Sequence, residues 1–314
     1  MGVAILMIVC CHIQGVDPEM KIWRIFYPGY LGVDIFLFLS GFGLCYSYNK
    51  NDTKTFYRHR FSRIMPLYIL IGIFTCLIHI FYQHESLSLW DWVCTLTTLS
   101  FWRAGGVFIE WYLSTLIVLY LLFPLFYRMI GIRYSAYGLG AYILANLALI
   151  ACCDLSWEYE CALSRLPMFL LGILYYKRQD KSILIKFLPV YTIGLIAAAI
   201  LWRLGKVETY IVGYMCAPWI MLVIYILTKY VFERWQRFMR CFEYVGRYTL
   251  EIYVANYLIL NLVPIIPLKI SPSLIYVSLH VILIPLLILI NKVAQSAIKQ
   301  GHTLLTSSST NKTD

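Results

Sequence analysis

Ten stretches of mostly apolar residues, spread over the whole chain, set the strongest constraint on its fold. A helix that crosses the hydrocarbon core of a bilayer needs about 20 such residues, and most of the ten stretches approach that length. Because lipid offers no hydrogen-bond partners to the backbone, we predict an all-α, polytopic membrane helix bundle of about ten transmembrane helices. The predicted spans are Met1–Ile13, Tyr30–Tyr48, Met65–Tyr82, Val107–Tyr127, Ser135–Cys152, Ser164–Tyr176, Ile183–Trp202, Tyr210–Thr228, Leu250–Leu268 and Pro272–Ile290.

Composition excludes the other main classes of protein. The 314 residues are 61% hydrophobic and only 13% charged. A soluble domain carries about 25% charged residues, so this chain has roughly half the charge that a water-exposed surface needs. The high hydrophobicity equally excludes an intrinsically disordered chain.

The distribution of basic residues predicts the orientation of the bundle. The net charge of +10 comes from 26 Lys and Arg against 16 Asp and Glu. Alternate connections place 19 basic residues on one side and six on the other, with Arg165 inside a span. The positive-inside rule makes the side with 19 cytoplasmic, so both termini are predicted to be cytoplasmic. The charge excess therefore follows from orientation, and we expect no nucleic-acid partner.

Two segments depart from the pattern of regular spans. The 13 residues of Met1–Ile13 reach only about 20 Å as a helix, against a hydrocarbon core of roughly 30 Å. Either this helix is half-buried in the membrane or the true start lies upstream of Met1, and we expect the upstream start. The aromatic, amphipathic stretch Leu87–Arg103 is predicted to be an interfacial helix, with an eleventh span as the alternative.

Four ionisable residues from separate spans fall at one predicted depth, near the outer face. They are His12, Asp34, Glu110 and Arg165. Ionisable side chains inside spans cost about 2.5–3.5 kcal/mol each and usually mark function. A histidine beside a carboxylate is the minimal unit for general-base catalysis, because the carboxylate fixes the tautomer and stabilises the imidazolium. We predict a polar site open to the outside, although depth alone specifies no reaction.

Other histidines provide alternatives to this assignment. His79 lies near the outer end of the third span and competes with His12 on depth alone. A packing or interfacial role for His12 is the structural alternative. His280, about two turns into the last span, is expected to form a buried hydrogen bond between helices.

A basic cluster lies at the predicted inner face, where Phe56–Tyr68 reads FYRHRFSRIMPLY. Its Arg58, Arg60 and Arg63 either anchor the helix or bind an anionic cytosolic ligand, since guanidinium groups suit phosphates. Metal or redox chemistry has little support, because the ten cysteines form no CxxC pair. Three predicted outer cysteines can pair if the compartment is oxidising: Cys152, Cys153 and Cys161.

Taken in order, these segments resemble the acyltransferase-3 family of bacterial membrane O-acyltransferases. GVAILMIVCCH, which closes at His12, is followed by GYLGVDIFLFLSGF (Gly29 to Phe42) and then by FYRHRFSRIMPLY. EWYLSTLIVLYLLFPLFY, SRLPMFLLGILYY and VGRYTLEIYVANYLI resemble later spans of that family, so the match covers essentially the whole chain. The family places an arginine where Met1 stands, with ten residues between it and the histidine. Either the true start lies upstream or this protein lacks the arginine, and the short first span favours the upstream start.

The resemblance implies a reaction and its partners. Acyl groups, usually acetyl, would pass from cytosolic acyl-CoA to hydroxyls of an extracytoplasmic polysaccharide or another acceptor. Acyl-CoA is then a co-substrate, and no bound cofactor or metal is expected. The implied location is the inner (cytoplasmic) membrane, with residues 1–291 as a multi-pass acyltransferase domain and residues 292–314 as a cytoplasmic polar tail.

The resemblance also implies roles for individual residues. His12 would be the catalytic residue, and Asp34 the acid that orients or charges it. Glu110 and Trp111 match a span that lines the pore, where Arg165 is a further candidate at the acceptor site. The family's basic motif, which faces CoA, is matched by Arg58, Arg60 and Arg63.

The remaining alternatives differ in chemistry. His12 would act by direct transfer or through an acyl-histidine, and the sequence does not choose between them. A polysaccharide exporter or lipid-linked sugar carrier would place the same ionisable residues along a transport path. A membrane sensor module is a third class, but it would normally carry a soluble domain that the sequence does not show.

Overall fold

The computed structural model describes residues 1–103, 110–130, 135–153, 155–179, 182–267 and 270–310. Within these ranges the regular elements are all helical, which confirms the predicted all-α class. The helices are α1 Gly2–Val16, α2 Gly32–Lys50, α3 Thr53–Phe81, α4 Leu89–Leu96, α5 Leu99–Trp102, α6 Trp111–Met129, α7 Ser135–Cys152, α8 Trp157–Arg178, α9 Ile183–Arg203, α10 Thr209–Arg234, α11 Gln236–Arg247, α12 Thr249–Leu262 and α13 Pro272–Thr310. Two 3-10 segments, Lys21–Leu31 and Val263–Ile265, precede α2 and follow α12.

Each of the ten predicted spans overlaps one of these helices, but fewer helices pass a test of length and apolarity. Six helices in the described ranges are long and apolar enough to cross a membrane, and a seventh is added if α11 and α12, bent by 73°, form one broken span. The shorter α1 and α7 are apolar, whereas α8 carries Arg165 within it and further charges at its ends. The number ten and the orientation of the termini stay predictions. Residues 107–109 and 268, at the ends of two predicted spans, lie outside the described residues.

The segment Leu87–Arg103 forms two short helices, α4 and α5. The eight residues of α4 extend only about 12 Å, so this stretch is too short to be an eleventh span. A capping box begins α4, in which Ser88 Oγ accepts from the N–H of Asp91 and Asp91 accepts from the N–H of Ser88. The Ser88 hydroxyl also donates to Asp91 Oδ2 at 2.6 Å; this bond, the bond from the Ser88 N–H and the contact with Arg103 at 2.8 Å lower the pKa of the Asp91 carboxyl.

Close packing of the parallel helices α2 and α8 depends on two glycines. A Cβ atom at Gly41 would lie 2.1 Å from the carbonyl oxygen of Phe169, and one at Gly172 would lie 2.1 Å from that of Phe38. Small residues of this kind let helix backbones approach closely where lipid provides no hydrophobic driving force. The approach brings the first turn of α2 against the first half of α8.

Helix α1 lies inside the bundle. It contacts α2, α11, α12 and α13, and its Ala4, Ile5 and Ile8 are buried. Its C-terminal half therefore reaches side chains of α12 and α13. At the other end of the chain, α13 continues as a helix through residues 292–310 of the predicted tail, and residues 311–314 lie outside the described residues.

Candidate functional site

One cavity is lined by three of the four ionisable residues that the sequence places at one depth near the outer face. This histidine cavity, of about 390 Å³, is lined by His12, Glu110, Trp111 and Arg165 together with uncharged polar and aromatic side chains. The lining comes from α1, α2, α6, α8, α10 and α12 and from the segment before α2. Residues that are far apart in sequence but have the same predicted depth thus line one cavity. Its volume lies within the usual range of ligand-binding sites.

A second, smaller cavity contains part of the basic cluster. This arginine cavity, of about 150 Å³, is lined by Arg60 and Arg63 of α3, by Met1 and by residues of α2, α6 and α12. The Nε atom of Arg60 is buried and has no hydrogen-bond partner among the described residues. Arg58, the third member of the predicted cluster, is exposed on α3 and is not part of this lining.

The two cavities lie toward opposite ends of the same helices. Met1, directly before α1, lines the arginine cavity and His12 on α1 lines the histidine cavity, which separates them by about 16 Å along the helix axis. On α12, Thr249 lines the first and Asn256 the second. Tyr253 lies between these two residues and lines both cavities.

Tyr253 and Glu110 form the partition between the cavities. The Tyr253 hydroxyl donates to Glu110 Oε1, and its ring packs against Tyr112 with centroids 5.0 Å apart. Glu110 Oε2 accepts from the N–H of Leu113 at 2.6 Å, so the same carboxylate caps α6. Glu110 is 1% exposed, and both of its oxygens have partners, which fixes the carboxylate in place.

Asp34 pairs with Arg165 rather than with His12. Arg165 Nη1 donates to Asp34 Oδ2 at 3.0 Å, and the two side chains are 3% and 1% exposed. The guanidinium carbon also lies 4.6 Å from the ring centroid of Trp111 and 4.2 Å from that of Tyr214. The predicted contact between Asp34 and His12 is thus not formed, because the packing of α2 on α8 directs the carboxylate to Arg165. Arg165 is held on three sides at the wall of the histidine cavity.

His12 meets an uncharged amide in place of a carboxylate. Its Nδ1 atom lies 2.8 Å from the side-chain nitrogen of Asn256, which is 2% exposed. The amide oxygen of Asn256 contacts the hydroxyl of Tyr276, and that hydroxyl lies 2.8 Å from the carbonyl oxygen of Val9. Helices α12 and α13 therefore hold the ring that α1 carries.

Sequence reasoning missed Asn256, Tyr253 and Tyr276 because it considered only ionisable groups. The signal that could have found Asn256 is an amide inside an otherwise apolar helix, which needs a partner as much as a charge does. A tyrosine gives a weaker signal, since aromatic residues are common throughout these helices.

The other two histidines lie elsewhere. His79 Nδ1 is 2.8 Å from Glu85 Oε2 at the end of α3, and His79 does not belong to the lining of either cavity. His280 is buried, and its Nδ1 lies 2.9 Å from the carbonyl oxygen of Tyr276 within its own helix rather than between helices.

The cysteines are all thiols, including the three that the sequence suggested as a possible pair. Cys161 is buried in α8, while Cys152 and Cys153 are exposed at the end of α7. Among the described residues, no three His, Cys, Asp or Glu side chains come together in a way that could hold a metal ion.

Comparison with known proteins places these features in a family. ORF330, a protein of Acidianus two-tailed virus named as an acetyltransferase, is 33% identical over 119 residues, which cover 37% of this chain and 36% of the viral protein. The acyltransferase MdmB of Streptomyces mycarofaciens is 31% identical over 144 residues, covering 40% of this chain and 37% of its own. The matched parts thus span little more than a third of each relative, and no solved structure matches. Residues 2–292 match the acyltransferase domain that defines the acyltransferase-3 family, and the chain belongs to that family.

Proposed function

We propose that this protein is an integral membrane O-acyltransferase that moves an acyl group, in the simplest case acetyl, from cytosolic acyl-CoA to a hydroxyl of an extracytoplasmic glycan. The observation that carries the proposal is the pair of cavities, one basic and one containing His12, which lie toward opposite ends of shared helices and are separated by Tyr253, a residue that lines both. A donor with a phosphate-rich head and an acceptor on the other side of the bilayer require such an arrangement.

The arginine cavity suits the arm of the donor and not its nucleotide. At about 150 Å³ it falls below the usual range of ligand pockets, so it is too small for the nucleotide and would hold only part of an extended chain such as pantetheine. The nucleotide phosphates would remain at its mouth, where Arg63 is exposed. The buried, unpartnered Nε of Arg60 supports binding of an anionic or carbonyl oxygen inside the cavity, because guanidinium groups suit such acceptors.

The histidine cavity contains the groups that hydroxyl acylation needs. In the direct route, a ring nitrogen of His12 takes the proton of the acceptor hydroxyl while the hydroxyl oxygen attacks the thioester carbonyl. The C–S bond then breaks, an ester forms, and the departing thiolate takes the proton from His12. Arg165, fixed by Asp34, can stabilise the negative charge that develops on the carbonyl oxygen. The acyl-histidine route uses the same groups in two steps.

The proposal is tested by the release of CoA thiol from acetyl-CoA by purified protein, with a panel of oligosaccharides as acceptors. We expect acceptor-dependent release by the wild type and a loss on the order of 10²- to 10⁴-fold in His12→Ala. His79→Ala is the matched control, because this histidine is paired with Glu85 outside both cavities, and it should keep the wild-type rate. Equal rates in His12→Ala and wild type would overturn the proposal. Glycan movement across vesicles without acyl transfer would favour the exporter or sugar-carrier alternative.

A further inference from the structure

A third cavity lies beside the histidine cavity, and the transfer reaction alone leaves it without a role. This tryptophan cavity, of about 470 Å³, is lined by Trp202, Glu160, Lys206 and Glu208 and by the C-terminal end of α7. Its volume lies within the usual range of ligand-binding sites. We propose that it binds an uncharged sugar unit of the acceptor glycan, next to the unit that carries the reacting hydroxyl. The inference rests on the proposed function and names the class of acceptor.

The tryptophan and histidine cavities share one wall. Glu160 of α8 lines the tryptophan cavity, and Cys161, the next residue, lines the histidine cavity. Tyr210 of α10 lines the histidine cavity, and its hydroxyl donates to Glu160 Oε2. The ring of Tyr210 packs against that of Tyr214 with centroids 5.5 Å apart, and Tyr214 in turn faces the guanidinium of Arg165. A glycan unit in the tryptophan cavity would therefore lie one pair of side chains away from the histidine cavity.

The turn between α9 and α10 builds the opposite wall. The N–H of Lys206 donates to the carbonyl oxygen of Leu201 at 2.9 Å, and the N–H of Gly205 donates to that of Trp202 at 2.9 Å. Gly205 has a φ of +67°, the left-handed conformation that this helix-ending pair of bonds requires. The turn therefore fixes the backbone that carries the side chains of Trp202 and Lys206.

The lining matches the chemistry of a sugar ring, which presents hydroxyl groups at its edge and C–H groups on its faces. An indole ring packs against such C–H groups, because the face of the indole carries partial negative charge. Trp202 is 46% exposed and lines the cavity, so it can supply this surface. Glu208 stands at the N-cap of α10, but among the described residues its side chain caps no N–H of that helix. Its carboxylate is therefore available to accept bonds from sugar hydroxyls.

The charge of the cavity favours a neutral glycan over an acidic one. The charged groups of the lining are the carboxylates of Glu160 and Glu208 and the ammonium group of Lys206. The excess of negative charge repels the carboxylates and phosphates of an acidic glycan. Lys206 can donate to a hydroxyl or to the ring oxygen of a neutral unit.

Binding of oligosaccharides in the absence of acetyl-CoA tests the proposal. The probes are neutral oligosaccharides of glucose, mannose, galactose and N-acetylglucosamine, with oligogalacturonate as the acidic probe, and saturation-transfer NMR on protein in micelles gives each Kd. We expect the wild type to bind at least one neutral probe more tightly than oligogalacturonate. Trp202→Ala should weaken that binding on the order of tenfold, whereas Trp202→Tyr, which keeps an aromatic face, should retain most of it.

Trp90→Ala is the matched control for an aromatic residue that only anchors a helix at the membrane interface. Trp90 lies on α4, is 56% exposed and lines none of the three cavities, so its loss should leave Kd unchanged. The proposal is overturned if no neutral probe binds, if oligogalacturonate binds more tightly, or if Trp202→Ala binds as the wild type does.

Protection of thiols locates the bound probe. Cys152 and Cys153 line the tryptophan cavity and are exposed, whereas Cys241 is exposed on α11 and does not line this cavity. A saturating neutral probe should slow maleimide labelling of Cys152 and Cys153, measured by mass spectrometry, and leave the labelling of Cys241 unchanged. Unchanged labelling of all three thiols with the probe bound would place the probe elsewhere and overturn the proposal.

These measurements use no donor, so they distinguish this inference from the proposed function. His12→Ala should bind the neutral probe as the wild type does. Oligosaccharide binding that depends on Trp202, without any acyl transfer, would support the cavity and overturn the proposed function. Acyl transfer that depends on His12, with an unchanged KM for the oligosaccharide in Trp202→Ala, would overturn the role of the cavity alone.

Discussion

Neutralising Asp34 should destabilise the protein strongly, because it leaves the charge of Arg165 buried without its counter-ion. The two side chains are 1% and 3% exposed and 3.0 Å apart. Coulomb's law at an effective dielectric constant of about 20 gives an attraction of roughly 5 kcal/mol at this distance. Breaking one partner of such a buried pair typically costs about 3–5 kcal/mol. The rings of Trp111 and Tyr214 continue to face the guanidinium and offset part of that cost, so we expect about 3 kcal/mol for Asp34→Asn.

A double-mutant cycle in mixed detergent micelles, with unfolding followed by titration with sodium dodecyl sulfate, measures this coupling. The double variant Asp34→Asn, Arg165→Met removes both charges and should lose less stability than the sum of the two single variants, with a coupling of about 2–4 kcal/mol. The exposed pair Asp91–Arg103, at 2.8 Å, is the matched control and should couple by less than about 1 kcal/mol. If the stability losses of the two single variants at Asp34 and Arg165 add up to the loss of the double variant to within about 0.5 kcal/mol, the two charges are not coupled and the reasoning is refuted.

Three further predictions test the packing, the partition and the donor side. Gly172→Ala should disrupt the approach of α8 to α2 and lower the yield of folded protein, as measured by size-exclusion chromatography. Gly140→Ala should leave the yield unchanged, because a Cβ atom there would lie 3.8 Å from the nearest side-chain atom. Tyr253→Phe removes the donor to buried Glu110 and should cost about 1–3 kcal/mol in the same unfolding titration, so unchanged stability would contradict the partition. Arg60→Gln should raise KM for acyl-CoA at least tenfold in steady-state kinetics, which corresponds to about 1.4 kcal/mol of binding free energy. Arg58→Gln should raise KM less, because Arg58 does not line the arginine cavity. Equal increases in KM would contradict this difference between the two arginines.

The helices and the depth of the ionisable residues were predictable from sequence. Apolar stretches of nearly the length of a span form helices, because in lipid the backbone N–H and C=O groups must hydrogen-bond to one another. The alternation of inner and outer connections then assigns each residue a depth in the membrane. His12, Glu110 and Arg165 were expected at one depth, and the structure places all three around one cavity. Depth is a single coordinate, however, and it does not specify which way a side chain points around its helix.

The contacts within the site depend on that missing coordinate. Asp34 was expected beside His12, but Gly41 and Gly172 let α2 and α8 approach so closely that the carboxylate meets Arg165. Asn256 reaches His12 only because α1 lies against α12, and nothing in the local sequence of either helix specifies that packing. The number of spans is uncertain from sequence for a related reason, since short helices such as α1 can lie inside a bundle without spanning it alone.

The central claim is that an acyl group passes from a donor on one side of the bilayer to an acceptor on the other, with His12 at the acceptor end. The most direct test uses proteoliposomes that contain radiolabelled acetyl-CoA, with a hydroxyl-bearing oligosaccharide outside. For wild-type molecules whose arginine cavity faces the interior, we expect the radiolabel to appear as an ester on the external oligosaccharide. In the His12→Ala variant we expect no labelled ester. Equal label transfer by His12→Ala, or transfer only when donor and acceptor share one compartment, would contradict this account.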